Sequence, residues 1–192
     1  MKHSLPTVSP FQKFVAKWED CDRCKLSQTR TRVALARGSV PADVVFIGEA
    51  PGESDNVVGK PFAGPTGRLL DHIIKESLGS VRSAITNLVA CIPVGEDGSK
   101  TLEIEDECVE ACGDRLIEFV RLCNPKLIVT VGKLAGEWLD QSMKHAIKVG
   151  KVPQLSIQHP GQIQRSNITQ RGLLVQKTII AIRNAWEDVC SS

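Results

Sequence analysis

Apolar positions along the chain follow two patterns, short runs typical of strands and the spacing of one face of a helix. The runs predict four strands, at residues 44–48, 84–90, 127–132 and 152–158. The helical spacing predicts helices at 66–78, 103–122 and 169–188, and another that begins near Lys133. Strands that alternate with helices favour an α/β domain with a central, mostly parallel four-stranded sheet.

Composition agrees with one folded domain. Of the 192 residues, 42% are hydrophobic and 24% are charged, which disfavours a disordered chain, a collagen-like repeat or a coiled coil. No linker or internal repeat divides the chain, so we expect a single domain over 1–192. Because the chain lacks both a membrane-spanning apolar stretch and the apolar core of a signal peptide, we expect a cytoplasmic protein.

Charge is distributed unevenly along the chain. The net charge is +5 over 1–40, −8 over 41–143 and +5 over 144–192. If the fold brings the two basic ends onto one face, that face can contact the phosphates of a nucleic acid. A solvated surface of mixed charge is the alternative.

Three polar or glycine positions lie at or near predicted strand ends. Gly48 and His159 end or follow strands, and Asn87 lies near the end of another. In mostly parallel sheets, ligands bind beyond the carboxyl ends of the strands. The glycine-rich turn at 48–67 follows the first strand and enters a helix, so its backbone amides can approach a ligand closely. An ordinary glycine- and proline-rich loop is the alternative for that turn.

The cysteines suggest a metal site. Cys21 and Cys24 form a C-x2-C pair, and no strand precedes them as a thioredoxin-type redox site would require. Further ligands are available at Cys91, Cys108 and Cys112. Four thiolates without a histidine fit either a structural zinc or a 4Fe–4S cluster, and spacing alone does not separate the two.

Several motifs together resemble the family-four uracil-DNA glycosylases. They are C-x2-C-x-L, GEAPG, G-x-PF-x-G-x-x-G-x-LL, TN four residues before Cys91, PKLIVTVG, and HP with Arg165 six residues after the histidine. The resemblance covers residues 18–186. It implies a three-layer α/β/α fold, a 4Fe–4S cluster held by four cysteines, and excision of uracil from DNA.

The resemblance implies Cys21, Cys24 and Cys91 as cluster ligands. For the fourth ligand, Cys108 fits the family's gap from Cys91, whereas Cys112 fits the family's gap to the following strand. We favour Cys112, because a loop absorbs extra residues more easily than a packed helix does. The cluster is then structural and ties residues 1–40 to the sheet.

The resemblance also implies a pocket for a flipped base. Phe62 offers a flat face for stacking on the pyrimidine, and the Asn87 amide offers a donor and an acceptor to uracil O4 and N3–H. Gly48 and the backbone near Ala50 are expected to line the same pocket. Without the resemblance, a core phenylalanine and an asparagine that closes a strand turn are the ordinary interpretations.

Catalytic and DNA-contacting residues follow in the same way. We expect His159 to donate to uracil O2, and we expect Asp55, with Glu49 nearby, to act on water or on the cationic sugar. In the loop after His159, we expect Ile163 to wedge into DNA and Arg165 to contact a phosphate.

The chain departs from the family at three positions. Asn56 stands where the family has a second acid, and Ala90 and Ile92 flank Cys91 where the family has positive charges. The hypothesis is therefore a monomeric glycosylase that leaves an abasic site in single- or double-stranded DNA containing uracil. The alternatives are a relative that binds such DNA without efficient turnover and a glycosylase for another modified pyrimidine.

Overall fold

The computed structural model describes residues 8–94, 104–141 and 152–191. The strands are β1 (Arg37–Gly38), β2 (Val44–Gly48), β3 (Ser83–Asn87), β4 (Leu127–Val131) and β5 (Gln154–Ile157). The helices are α1 (Pro10–Trp18), a 3₁₀ turn (Lys25–Gln28), α2 (Glu53–Val58), α3 (Pro65–Leu78), α4 (Asp106–Cys123), α5 (Lys133–Gln141), α6 (Pro160–Arg165) and α7 (Ile168–Ser191).

The strands form one sheet in the order β1-β3-β2-β4-β5. Only β1 is antiparallel to its neighbour among these strands, and β2 pairs in parallel with both β3 and β4. The β2–β3 register aligns Gly48 with Asn87. The next strands in sequence lie on opposite sides of β2, β3 on one side and β4 on the other. The carboxyl edge of the sheet beside β2 is therefore a topological switch point, where such folds bind ligands.

Each face of the sheet is covered by helices, which gives three layers. All five residues of β2 are buried, as expected for a central parallel strand. Val45 and Ile47 pack into one core with residues of α1, α4 and α5, whereas Val44 and Phe46 pack into a second core with α3 and α7. The alternation follows from the two-residue period of a strand.

The N-terminal helix is attached to the rest of the fold by aromatic packing. The Phe14 ring of α1 lies 5.6 Å from the Phe119 ring of α4, and Phe11 lies 6.4 Å from Phe119. Trp18 Nε1 donates to the Glu118 carboxylate at 3.0 Å. These contacts hold α1 against α4 without any metal.

The predicted α/β class and all four predicted strands are confirmed, but the sheet has five strands. Strand β1 was missed because it is two residues long and has no apolar pattern. Strand β3 ends at Asn87, three residues before the predicted end at residue 90. The predicted helix start at residue 103 lies outside the described residues. Within the described ranges, none of the helices combines the length and the apolarity that crossing a lipid bilayer requires.

We predict that Phe119→Ala lowers the free energy of unfolding by about 3–5 kcal/mol, because it removes a fully buried ring from the contact with α1. Urea unfolding measures the change. The control is Ile180→Ala, since the Ile180 side chain is 50% exposed, and its expected change is within about 0.5 kcal/mol. Equal losses in the two variants would contradict the packing described here.

Candidate functional site

The turn after β2 is held closed by Asp55. The two oxygens of its carboxylate accept from the Gly52 amide at 3.1 Å and from the Ala63 amide at 2.6 Å. Asp55 is 7% exposed. A carboxylate with two backbone donors is firmly oriented, so Asp55 fixes the shape of the turn and presents its negative charge there.

Phe62 adopts an unusual backbone conformation at the end of this turn. Its φ is +54°, in the left-handed region that residues other than glycine rarely enter. Arg37 on β1 donates through Nε to the Pro61 carbonyl at 2.7 Å and through Nη2 to the Phe62 carbonyl at 3.3 Å. The same guanidinium pairs with Asp71 at 2.7 Å. Arg37 therefore stabilises the conformation that sets the position of the Phe62 ring.

Two glycines allow Phe62 to sit where it does. A Cβ on Gly67 would lie 1.7 Å from the Phe62 carbonyl oxygen. A Cβ on Gly48 would lie 2.7 Å from the Phe62 ring and 2.4 Å from Asn87 Oδ1. The Phe62 ring and the Asn87 amide therefore both lie against the Cα of Gly48, at the end of β2.

Asn87 has an unsatisfied side chain. The residue is fully buried at the end of β3, and neither Oδ1 nor Nδ2 has a hydrogen-bond partner among the described residues. An unpaired buried amide costs free energy, so native proteins rarely retain one without a reason. The amide therefore marks a place where a ligand with one donor and one acceptor fits.

His159 follows β5 and caps α6. Its Nδ1 accepts from the Gly161 amide at 3.1 Å, and its ring lies 5.9 Å from the Phe62 ring. In a neutral imidazole the nitrogen that accepts carries no proton. The proton is then on Nε2, which makes that atom a hydrogen-bond donor.

A cleft of about 320 Å³ joins these elements. It is lined by Ala50, Gly52, Glu53, Ser54, Asp55, Phe62, Gly64, Pro65, Thr66, Gly67 and His159. The structure thus brings together Ala50, Asp55, Phe62 and His159 of the predicted residues. Gly48 and Asn87 do not line the cleft and lie next to the Phe62 ring.

Four cysteines meet at a second place in the fold. Cys21, Cys24, Cys91 and Cys112 line one small cavity, whose other walls are Trp18, Arg23, Val33, Ala90, Ala111 and Arg115. Burial raises the pKa of the Cys91 thiol to about 12, and the charge of Arg30 acts in the opposite direction. A metal group that binds here must therefore displace a proton from Cys91.

Of Cys108 and Cys112, the cavity is lined by Cys112. Cys108 is buried outside this cavity and interacts with Cys24 and with the charges of Lys25 and Glu105. In the described parts of the chain, no group of three or more His, Cys, Asp or Glu side chains is arranged to hold a single metal ion. Four thiols without a histidine are a donor set that both a structural zinc and a 4Fe–4S cluster use.

Comparison with known proteins places the fold and the motifs in one family. A sequence model of the uracil DNA glycosylase superfamily matches residues 35–188. The chain belongs to the uracil-DNA glycosylase superfamily. The family resemblance stated from the motifs is confirmed by this match.

Individual relatives are about one third identical to this chain over the segments that align. A type-4 uracil-DNA glycosylase of Saccharolobus solfataricus is 36% identical over 135 residues, 69% of this chain and 60% of that protein. One of Pyrobaculum aerophilum is 33% identical over 144 residues, 73% of this chain and 70% of that protein. Against the type-4 enzymes of S. solfataricus and Sulfurisphaera tokodaii, the matched segment therefore spans 60% and 54% of their length.

A solved structure supports the fold. The crystal structure of SMUG2 from Pedobacter heparinus matches with a TM-score of 0.57 at 14% identity, over 79% of this chain and 77% of that one. The three-layer architecture expected for the superfamily is therefore present.

Two predicted site residues lie elsewhere. Glu49 does not line the cleft, because its Oε1 accepts from the Leu134 amide at 3.3 Å in the first turn of α5. Ile163 is fully buried in α6 and packs into the core, so the prediction that it wedges into DNA is wrong as the structure stands. Arg165 is exposed at the end of α6. The exposed large apolar side chain that follows is Ile168, at 85%.

Two residues of the site were not predicted from the sequence. Arg37, which holds the Phe62 backbone, has no sequence signal beyond its place before Gly38. Arg115, which binds the backbone of Asn87, looks like an ordinary polar residue of an amphipathic helix.

We predict opposite effects for two glycine-to-alanine changes in helices. Gly67→Ala places its Cβ against the Phe62 carbonyl and should destabilise the fold by about 1–3 kcal/mol. Gly172→Ala meets nothing within 4 Å in α7 and should stabilise it by about 0.4–1 kcal/mol. Thermal unfolding compares them, and a Gly67→Ala variant as stable as Gly172→Ala would contradict the described turn.

Proposed function

We propose that this chain is a uracil-DNA glycosylase, which hydrolyses the N-glycosidic bond of uracil in DNA and leaves an abasic site. The observation that carries the proposal is the buried, unpartnered amide of Asn87 beside Phe62. Uracil offers an acceptor at O4 and a donor at N3–H, which are the partners that an amide lacks. The type-4 relatives are named for this substrate.

Recognition begins with extrusion of the nucleotide from the stack, which costs a few kcal/mol. Stacking of the base on Phe62 contributes about 1–3 kcal/mol in return. In the bound base, Asn87 Nδ2 donates to O4 and Oδ1 accepts from N3–H. A base that leaves this amide unpaired is disfavoured, because the amide is shielded from water.

Bond cleavage develops negative charge on uracil O2 and positive charge on the sugar. His159 Nε2 carries the proton of the neutral ring and donates to O2, since Nδ1 is occupied by the Gly161 amide. The Asp55 carboxylate lines the same cleft, where its negative charge would stabilise a cationic sugar or orient an attacking water. Asp55 is a catalytic residue in this proposal, in addition to its role in the turn.

We further propose that Cys21, Cys24, Cys91 and Cys112 hold a 4Fe–4S cluster, with structural zinc as the alternative. Four thiols on one cavity without a histidine support this set. Such a group would join the segment after α1 to β3 and α4, and its chemistry would be structural. Residues 1–40 would then be part of one domain with the rest of the chain.

DNA is the proposed macromolecular partner, bound by a monomer as a single or a double strand. Arg165 is exposed at the end of the helix that His159 caps, which suits a phosphate contact. The apolar side chain that enters the DNA stack is then Ile168, because Ile163 is buried.

The loss of the second acid at position 56 has a structural explanation. Asn56 Oδ1 accepts from the Thr31 amide at 2.8 Å and from the Arg32 amide at 3.3 Å, and Nδ2 donates to Thr31 Oγ1 at 3.3 Å. A carboxylate could accept from the same two amides, so the contact particular to an asparagine is the donation from Nδ2 to Thr31 Oγ1, which joins α2 to the N-terminal segment. This departure therefore gives little support to a relative without turnover.

We predict that His159→Ala lowers single-turnover excision of uracil by about 10²–10³, because the donor acts mainly on charge in the transition state. DNA affinity should change only a few-fold. The assay uses uracil-containing oligonucleotides, with alkali to cleave abasic sites. His72→Ala is the matched control, since His72 is exposed on α3.

The same assay separates an enzyme from a binding module. Wild-type protein that binds uracil-containing DNA but forms no alkali-labile site would replace the glycosylase with a relative that only binds. Release of a different pyrimidine would show that the proposed substrate is wrong and that the proposed reaction, glycosidic bond hydrolysis, is right.

We predict that Asn87→Ala lowers uracil excision by about 10- to 100-fold, because the edge of the base loses its partners in a buried site. Asn87→Asp should also be impaired, since an ionised carboxylate cannot donate to O4. Asn184→Ala, at an exposed position of α7, is the control. Undiminished excision by both Asn87 variants would remove this residue from the base pocket.

The cluster has its own test. Anaerobically prepared wild type should be brown, with broad visible absorbance and about four iron atoms per chain. Cys112→Ala should lose the absorbance and Cys108→Ala should keep it, because Cys112 lines the cavity and Cys108 does not. Colourless protein with one zinc would replace the cluster with the alternative, and the reverse pattern in the two variants would exchange the ligand.

A further inference from the structure

Arg115 is the largest fully buried side chain among the described residues, at 1% exposure. Its Nη1 donates to Thr86 Oγ1 at 2.9 Å, and its Nη2 donates to the carbonyls of Asn87 at 2.6 Å and Leu88 at 2.8 Å. Its Nε has no partner. The guanidinium of Arg115, on α4, therefore binds the backbone at the end of β3, and its Nε–H group lacks an acceptor.

The charge of Arg115 has no counterion in the described structure. Every bond that it makes goes to a carbonyl or a hydroxyl, and none of the ion pairs between described residues includes it. An arginine stays protonated in a protein, and a buried charge without an opposite charge is costly. An anionic group next to Arg115 would remove this cost.

The thiol-lined cavity provides a place for that anion. Arg115 lines it together with the four cysteines, and it follows Cys112 by three residues on the same helix. Deprotonated thiolates around a metal group carry net negative charge. The unpartnered Nε and the missing counterion thus occur next to the place where negative charge is expected.

A second guanidinium repeats the pattern. Arg30 Nη1 is also buried without a partner in the described structure, and its charge acts on Cys91. The four buried, unpartnered side-chain atoms of the described residues therefore belong to the base-reading amide and to two arginines beside the thiols.

The departures of the sequence next to Cys91 fit this arrangement. Ala90 and Ile92 are buried and uncharged where the family resemblance implies positive charges, and Ala90 lines the same cavity as Arg115. In this chain a positive charge reaches the cavity from α4 instead.

We propose that Arg115 is a positioning residue, which supplies countercharge to the thiolate-bound group and fixes the Asn87 peptide for reading the base. The proposal rests on the proposed function, because it requires both the group and the base pocket. The planar fork of Arg115 holds two consecutive carbonyls and so orients the backbone from which the Asn87 amide extends. Binding of a metal group in the thiol-lined cavity and recognition of uracil by Asn87 are thereby coupled through the Arg115 side chain.

Two substitutions separate charge from geometry. Arg115→Lys keeps the charge but replaces the fork with a single ammonium, whereas Arg115→Met removes both. The control is Arg183→Met, because Arg183 also donates to a backbone carbonyl, that of Glu76 at 2.7 Å, but is exposed on α7. All variants are prepared as full chains without oxygen.

Four quantities are measured on each protein: the lifetime of the visible absorbance in air, the midpoint potential of the metal group, the rate of single-turnover excision and the DNA affinity. Arg115→Met should lose absorbance about 10- to 100-fold faster than wild type, as expected when a residue that supports a metal site is removed. Its midpoint potential should move to more negative values, because the reduced metal group is no longer stabilised by the nearby positive charge of Arg115.

Arg115→Lys should keep the lifetime and potential near those of wild type, yet excise bound uracil at least several-fold more slowly at unchanged DNA affinity. If Arg115→Met does not fold, this Lys variant still tests the positioning role. Excision by Arg115→Lys at the rate of Arg183→Met would overturn that role, and a lifetime and potential of Arg115→Met equal to those of Arg183→Met would overturn the countercharge.

The failures of the two proposals are distinguishable. Brown wild type that excises uracil, with Arg115 variants that match the control, overturns this inference and leaves the proposed function intact. Wild type that contains neither iron nor zinc overturns the thiolate-bound group, and the countercharge role of Arg115 falls with it.

Discussion

A buried hydrogen-bonding group needs a partner, and this requirement is left unmet at two places that Arg115 connects. At the sheet edge, both polar atoms of the Asn87 amide lack a partner in the described structure. Beside the thiols, Nη1 of Arg30 and Nε of Arg115 lack one as well. The bonds of Arg115 to the Asn87 and Leu88 carbonyls join the two places. Each unpartnered polar atom costs free energy until a ligand supplies its hydrogen bond. These residues therefore indicate function more strongly than the shape of a pocket does.

Sheet topology explains why the base pocket forms where it does. The parallel β2–β3 register sets Gly48 beside Asn87, and the absence of a side chain at Gly48 admits the Phe62 ring. Asp55 and Arg37 then fix the turn from opposite ends, by accepting from its amides and by donating to its carbonyls. A rigid sheet edge with a braced turn can hold a flat base without large rearrangement.

Much of this arrangement follows from sequence patterns, and the remainder depends on long-range contacts. Apolar periodicity predicted the long helices and four strands, and motifs predicted Phe62, Asn87 and His159. Helix α1 carries a local sequence signal, the Ser9–Gln12 capping box. The burial of Ile163 and the contacts of Arg115 with residues 27–29 positions away have no local signature. Both arise only when distant elements pack.

A crystal structure of the metal-loaded protein with free uracil tests the central claim, that the Asn87 amide reads the base, most directly. The account predicts the uracil ring stacked on Phe62, with Asn87 Nδ2 and Oδ1 at hydrogen-bond distance, about 2.7–3.2 Å, from O4 and N3. It also predicts His159 Nε2 facing O2. Uracil bound away from Phe62, with the Asn87 amide still unpaired, would contradict it.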